Sequence, residues 1–266
     1  MSRTLQLLFA LCLATLLTGA LEGAEPIRLR VLSYNLHHGE GLDGKLDLER
    51  IAGVIRAVEP DLVALQEVDH TARRTGSVDQ PAELGRLTKM EVAFGGNIDL
   101  QGGKYGNAVL SRLPIVRREN HRLPNVGGGE QRGVLEVEVE LKEAGQRLLF
   151  FATHLDHRRD DSERIASAQA INELALAHAK LPALLAGDLN ATPDSKTLAE
   201  FTKQWGSASD KPLFSFPANR PTQQIDFILF RPRDQWKVVE VKVIDEAVAS
   251  DHRPIFAVLE LTPAAP

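Results

Sequence analysis

Apolar positions in this chain fall into short runs separated by turn residues. The runs "LRVLSYNL", "DLVALQEV", "NAVLSRL", "GVLEVEVEL", "RLLFFATHL", "ALLAGDL", "QIDFILF", "VVEVKVI" and "PIFAVLEL" predict strands. Leu135, Val137, Val139 and Leu141 alternate with Glu136, Glu138 and Glu140, as on a strand with one wet face. "LLFFAT" and "ALLA" are unbroken, which predicts strands buried on both sides. Helical spacing lies between these runs. Leu48, Ile51, Ile55 and Val58 form one stripe behind Asp47, a predicted N-cap. Residues 162–180 are rich in Ala, Glu and Leu, begin near Ser162 and stop before Pro182. Thr192 followed by Pro193 reads as a cap with proline at the first helical position. No linker, repeat or low-complexity tract divides the chain, and "GGG" at 127–129 is a loop. Strands interleaved with helices in one unit predict stacked sheets flanked by helices, a single domain over residues 25–263.

The N-terminus follows a different pattern. Arg3 precedes an uncharged apolar run that closes on small residues, which predicts a secretory signal peptide over residues 1–20, cut after Ala20. The run is shorter than the roughly 20 residues that span a bilayer, so an uncleaved anchor ranks second. No transmembrane segment is predicted beyond it, and the expected location is secreted or periplasmic. The one cysteine, Cys12, lies inside this segment, so the mature chain relies on its core, with no disulfide or thiol chemistry. Removing residues 1–20 takes away Arg3 and no acid, leaving 30 basic against 36 acidic side chains. An acidic surface argues against nucleic acid as a tightly held partner.

Polar residues recur where apolar strands meet loops. Asn35 and Glu67 end the first two runs, and His154 and Asp188 end two later ones. Asn190 follows Asp188, Asp226 opens another strand, and Asp251 and His252 precede the last. Any one of these is ordinary turn chemistry. Together they form a set suited to phosphate esters. Carboxylate and amide oxygens are the donors that Mg²⁺ or Mn²⁺ prefer, whereas zinc favours thiolate or clustered imidazole. Imidazoles among carboxylates can stabilise a phosphoryl group, and an aspartate beside an asparagine can hold and activate water.

The ordered motifs "YN", "QE", "YGNAVLSR", "THLD", "GDLNATP", "IDFIL" and "SDHRP" resemble those of the endonuclease/exonuclease/phosphatase superfamily, over about residues 28–261. The resemblance implies a DNase-I-like α/β fold: a four-layer α-β-β-α sandwich of two packed, mostly antiparallel mixed sheets flanked by helices. It implies hydrolysis of phosphodiesters or phosphomonoesters with Mg²⁺ or Mn²⁺. By motif, Glu67 resembles the principal metal ligand, supported by Asn35 and Asp251. Asp188 resembles the group that orients or deprotonates the attacking water, and Asn190 the amide that holds water and a phosphate oxygen. His252 resembles the imidazole on the scissile phosphate, oriented by Asp226, and His154 resembles the second imidazole. Tyr105 and Asn107 fall in a segment that often lines the substrate cleft, and Arg132 at the rim is an expected anion contact.

One departure stands out. Two residues after the motif asparagine, where nucleases often carry a carboxylate, this chain has His37 followed by His38, either a changed coordination or two loop histidines. Arg73 and Arg74 are a further arginine pair, within reach of a phosphate or simply solvated, and Trp205 and Trp236 read as core. Three phosphoesterase readings remain: a small or head-group phosphodiesterase leads, with a nuclease and a phosphomonoesterase behind it. A catalytically silent binding protein on the same fold is the alternative of another class. The presence of Glu67, Asp188 and His252 favours the enzyme, expected as a monomer.

Overall fold

A computed structural model describes residues 25–142 and 145–263. The predicted signal peptide lies outside the described residues. Among the described residues, twelve strands form two six-stranded sheets. In the first, the order is β11 (Trp236–Val243), β12 (Ile255–Leu261), β1 (Ile27–Asn35), β2 (Leu62–His70), β4 (Gly103–Ser111) and β3 (Glu91–Leu100). In the second it is β5 (Ile115–Arg122), β6 (Gly133–Leu141), β7 (Gln146–His154), β8 (Ala183–Asp188), β10 (Asp226–Arg231) and β9 (Gly206–Ser207). Only β1–β2 and β7–β8 pair in parallel, so both sheets are mixed and mostly antiparallel.

Three apolar layers hold the sandwich together. Leu29, Val31, Leu62, Leu135, Phe150, Leu184 and Ile228 interdigitate between the sheets. Leu32, Tyr34, Val63 and Leu65, on the outer face of the first sheet, pack on Ile51, Ile55 and Leu84 of helices α1 (Leu48–Val58) and α2 (Gln80–Thr88). Phe151, Leu185 and Leu229, on the outer face of the second, pack on Ile171, Phe201 and Trp205 in and beside α3 (Ser162–Ala177) and α4 (Lys196–Phe201). The unbroken apolar runs are therefore strands with both faces covered, as in the predicted four-layer α-β-β-α sandwich. Trp205 and Trp236 are buried, with their indole N–H groups donating to Asn172 and to the Arg231 carbonyl.

Local chemistry sets the helix starts. Asp47 caps α1 by accepting from the Arg50 N–H, and Asp79 caps α2 ahead of Pro81. The expected helix start at Thr192–Pro193 is corrected. Those residues form a turn in which the Thr192 hydroxyl donates to Asp194, and Ser195 caps α4 at the Leu198 N–H. The expected wet face of β6 also differs. Glu136 is buried against Arg117, His121 and His178, and Glu138 against Arg147. Neighbouring basic side chains cover the polar face that alternation alone leaves to solvent.

Candidate active site

Alternation along the strands carries the inner apolar face into a polar end. On β8, Leu184 and Ala186 lie between the sheets, and Asp188 continues their phase. The same count takes Val31 to Asn35, Phe150 and Ala152 to His154, and Ile228 back to Asp226. The parallel pairs β1–β2 and β7–β8 both run toward this end of the sandwich. Asp226 is the direct cross-strand partner of Asp188.

Glu67 reaches the site differently. The pairing of β2 with β4 shifts between Leu65 and Val68, and Glu67 has a left-handed φ of 58°. Val63 and Leu65 pack on the outer layer before the shift and Val68 after it, so the bulge absorbs one residue. This frees Glu67 from the outward phase of an unbroken strand and places it in the cleft. A non-glycine residue in this conformation costs of order 1–3 kcal/mol, a strain found where position matters for chemistry.

Hydrogen bonds bind these groups into one unit. Asn35 Oδ1 accepts from the His37 N–H, which fixes its amide so that Nδ2 donates to Glu67 Oε1 and Asp188 Oδ2, both at 3.1 Å. Asp188 Oδ1 accepts from the Asn190 N–H at 2.9 Å, and Asn190 Nδ2 donates to the Leu155 carbonyl. His154 Nε2 and His252 Nε2 stand 3.5 and 3.6 Å from Asp188 Oδ2. His252 Nδ1 lies 2.9 Å from Asp226 Oδ2, which also accepts from Ser215 Oγ. Ser250 Oγ donates to the Asn35 carbonyl and accepts from the His252 N–H, tying the last loop to β1.

These surroundings set the charges. Burial would lower the His252 pKa, but the Asp226 and Asp188 carboxylates and the Asp226 hydrogen bond raise it to about 10, so this imidazole is a cation at neutral pH. Burial, with Asp226 adding to it, raises Asp188 to about 7, against the opposing pull of His252 and of the Asn190 and Asn35 donors. Burial, reinforced by Arg132 and His252, holds His154 well below the usual histidine range and therefore neutral.

The cleft over this floor has a volume of about 420 Å³. Glu67, Asp188, Asn190, His154, Asp251, His252, Tyr105 and Arg132 line it. Asn35 and Asp226 stand behind as supports. Asn107 is buried, donates to the Gly133 carbonyl and is not among the lining residues. His37 and His38 are also outside the lining; His37 Nδ1 bonds the Glu40 carbonyl, and His38 lies 3.6 Å from the Glu40 carboxylate. Arg74 is committed to a bidentate pair with Asp69 and lies over the Tyr105 ring. Glu130, His157, Thr192, Phe216, Gln223 and Ile225 complete the lining, and the sequence had marked none of them as a site residue. Phe216 packs 4.7 Å from the His252 ring, and Ser215 and Ser250 are further supports that no local pattern marks.

Two groupings bear on a metal. Asp188, Asp226 and His252 bring their ligand atoms within 4.8 Å of one another, but a charged imidazole hydrogen-bonded to Asp226 has no lone pair to offer. That grouping is better described as an acid–base relay. Glu67 and Asp251 each have one carboxylate oxygen outside any protein hydrogen bond among the described residues, and both face the cleft. Such a donor set fits a hard divalent cation. Asn35, as oriented by the His37 N–H, orders the Glu67 and Asp188 carboxylates through its NH₂.

Residues 32–252 match the model of the Endonuclease/Exonuclease/phosphatase family. Uncharacterized protein YbhP of Escherichia coli K12 is 28% identical over 255 residues, spanning 90% of this chain and 99% of that protein. An endonuclease/exonuclease/phosphatase structure from Beutenbergia cavernae superposes with a TM-score of 0.73 at 29% identity, covering 90% of this chain and 73% of that one. The mannosyl-6-phosphatase Bt3783 of Bacteroides thetaiotaomicron shares the fold, with a TM-score of 0.71 at 21% identity, over 87% of this chain and 99% of that one.

Proposed function

The chain belongs to the endonuclease/exonuclease/phosphatase family, and from that premise we propose that it is a divalent-metal-dependent phosphoesterase that hydrolyses a phosphodiester of modest size by attack of an activated water. The observation that carries this reading is Asp188 Oδ2, which faces both imidazoles of one cleft. A carboxylate with a pKa of about 7 is matched to taking a proton from water at neutral pH. Charged His252, steered by Asp226, donates to a phosphoryl oxygen and balances the charge gathering there. Neutral His154 supplies a second donor, and Asn190 holds the backbone turn that presents Asp188. Water oxygen bonds to phosphorus as the ester bond to the leaving arm breaks. The proton taken by Asp188 matches the one the leaving oxygen needs, so a turnover restores the site. Mg²⁺ or Mn²⁺, held by Glu67 and Asp251, would supply Lewis-acid polarisation of the phosphate.

The acidic balance of the chain favours a small or head-group diester over nucleic acid. A phosphomonoester is the second reading, supported by the likeness to the mannosyl-6-phosphatase. We further read residues 1–20 as an export signal, supported by their apolar, uncharged run. The test is a panel of a chromogenic phosphodiester, a phosphomonoester, a phospholipid head-group diester and plasmid DNA, with Mg²⁺ or Mn²⁺ present. Fastest turnover of a small diester supports the reading. Turnover of the monoester alone replaces it with the second, and cleavage of plasmid faster than all others makes the protein a nuclease.

A further inference from the structure

One wall of the cleft is built from three residues that the reaction described above does not use as acid or base. Arg132 is 3% exposed. Its guanidinium pairs with Glu130 Oε1 at 2.9 Å through one terminal nitrogen and faces His157 Nδ1 at 3.3 Å through the other. A guanidinium only donates, so His157 Nδ1 is the acceptor and its ring proton sits on Nε2. The wall therefore offers the cleft a partly exposed carboxylate and an imidazole N–H, held on a buried frame. Its formal charge is zero, because Glu130 cancels Arg132 and His157 is neutral in that tautomer. A second anionic group on the substrate would find no net positive charge here and would share the cleft with Glu67 and Asp251.

We propose that Glu130 and His157, set by Arg132, are specificity residues that read the hydroxyl groups of a neutral polyhydroxylated ester arm, a sugar or a cyclitol. A hydroxyl both donates and accepts, so neighbouring hydroxyls can give a proton to the Glu130 carboxylate and take one from His157. An arm without hydroxyls strips water from both groups and returns nothing, which is how a polar wall discriminates. This inference rests on the phosphoesterase reading and narrows its substrate.

The experiment compares kcat/KM for three p-nitrophenyl phosphodiesters with one leaving group and different second arms: glucose joined through its 6-oxygen, ethyl, and an ethyl chain ending in a second phosphate. The glucosyl diester should exceed the ethyl one by at least about 10-fold, the scale of one hydrogen bond to a charged group. The phosphate-ended diester should fall below the glucosyl one. Glu130→Gln and His157→Phe should each shrink the glucosyl-to-ethyl ratio toward one while circular dichroism at the assay temperature stays at the wild-type spectrum. His157→Gln keeps an acceptor for Arg132 and a donor for the substrate and should retain the preference. A ratio that none of the variants moves, or a preference for the phosphate-ended arm, overturns the inference and leaves the phosphoesterase reading standing. No hydrolysis of any of the three overturns both.

Discussion

His252 Nε2 stands 3.6 Å from Asp188 Oδ2, across the end of the sandwich where one sheet's loop meets the other sheet's strand. The imidazole is pinned from behind by Asp226 and held cationic, and the carboxylate is pinned by the Asn190 N–H and held near its titration point. The two are poised to act on a single phosphate from a fixed frame. Asp188→Asn and His252→Ala should each lower kcat by at least about 100-fold, the scale of positioned acid–base groups. Steady-state kinetics with circular dichroism checks this, and either variant with near-normal turnover removes that residue's role. The double variant should lose much less than the product of the single losses, because both groups serve one transition state.

Activity should depend on pH through the same pair. Asp188 must be ionised and His252 protonated, so kcat/KM should rise from acid pH as Asp188 ionises and fall at alkaline pH as His252 loses its proton. In Asp188→Asn the rising limb should vanish from the residual rate. A rising limb that persists belongs to another base.

Stability of the metal-free protein carries a second pH signature. The folded state raises His252 from 6.5 to about 10, so the stabilisation from its proton is complete below 6.5 and lost as pH climbs through about 10. It raises Asp188 from 3.8 to about 7, so that contribution is complete below 3.8 and lost as pH climbs through about 7. Urea unfolding in EDTA should show stability falling across both windows. Asp188→Asn should flatten the lower one and shift the upper one down, since Asp188 helps hold His252 charged. An unchanged slope below about pH 7 in that variant contradicts the assignment.

Much of the fold was legible because its strands are either fully covered or strictly alternating. Phe150 and Phe151 belong to different layers, yet both are apolar, and that is what "LLFFAT" displays. Strand β3 escaped because Gly95 and Gly96 break its pattern, yet Gly106 on β4 passes so close to the Gly95 carbonyl that a Cβ there would collide with it. Edge strand β5, "IVRRENHR", is too polar to read as a strand, and its arginine and histidine cover Glu136. Within the candidate site, residue types at strand ends pointed to Asp188, His154 and His252, which the fold brings to one cleft. The bulge at Glu67 was hidden, since neither glycine nor proline marks it. Ser215, Ser250 and His157 act through partners distant in sequence, and no local pattern signals such contacts.

Export is tested at the N-terminus. Protein recovered outside the cytoplasm should begin near Leu21 on N-terminal sequencing. A soluble cytoplasmic chain still beginning at Met1 removes the signal-peptide reading.

Charge bears on the choice of substrate. A protein making 6–10 phosphate contacts on duplex DNA loses roughly 10³–10⁵ in affinity between 50 and 200 mM salt. With more acids than bases, this chain should bind plasmid weakly even at low salt and cleave it slowly throughout. Fast plasmid cleavage that collapses with salt would reveal a local basic groove.

The role of the metal is reached most directly by stripping the protein with EDTA and following hydrolysis of bis(p-nitrophenyl) phosphate before and after Mg²⁺ or Mn²⁺ is returned. Glu67 and Asp251 each keep a carboxylate oxygen free beside Asp188 in the cleft, so activity should vanish on stripping and return with either cation. Glu67→Ala, folded by circular dichroism, should need far more metal for the same rate. Full turnover by the stripped wild-type protein would contradict metal-assisted hydrolysis at this site.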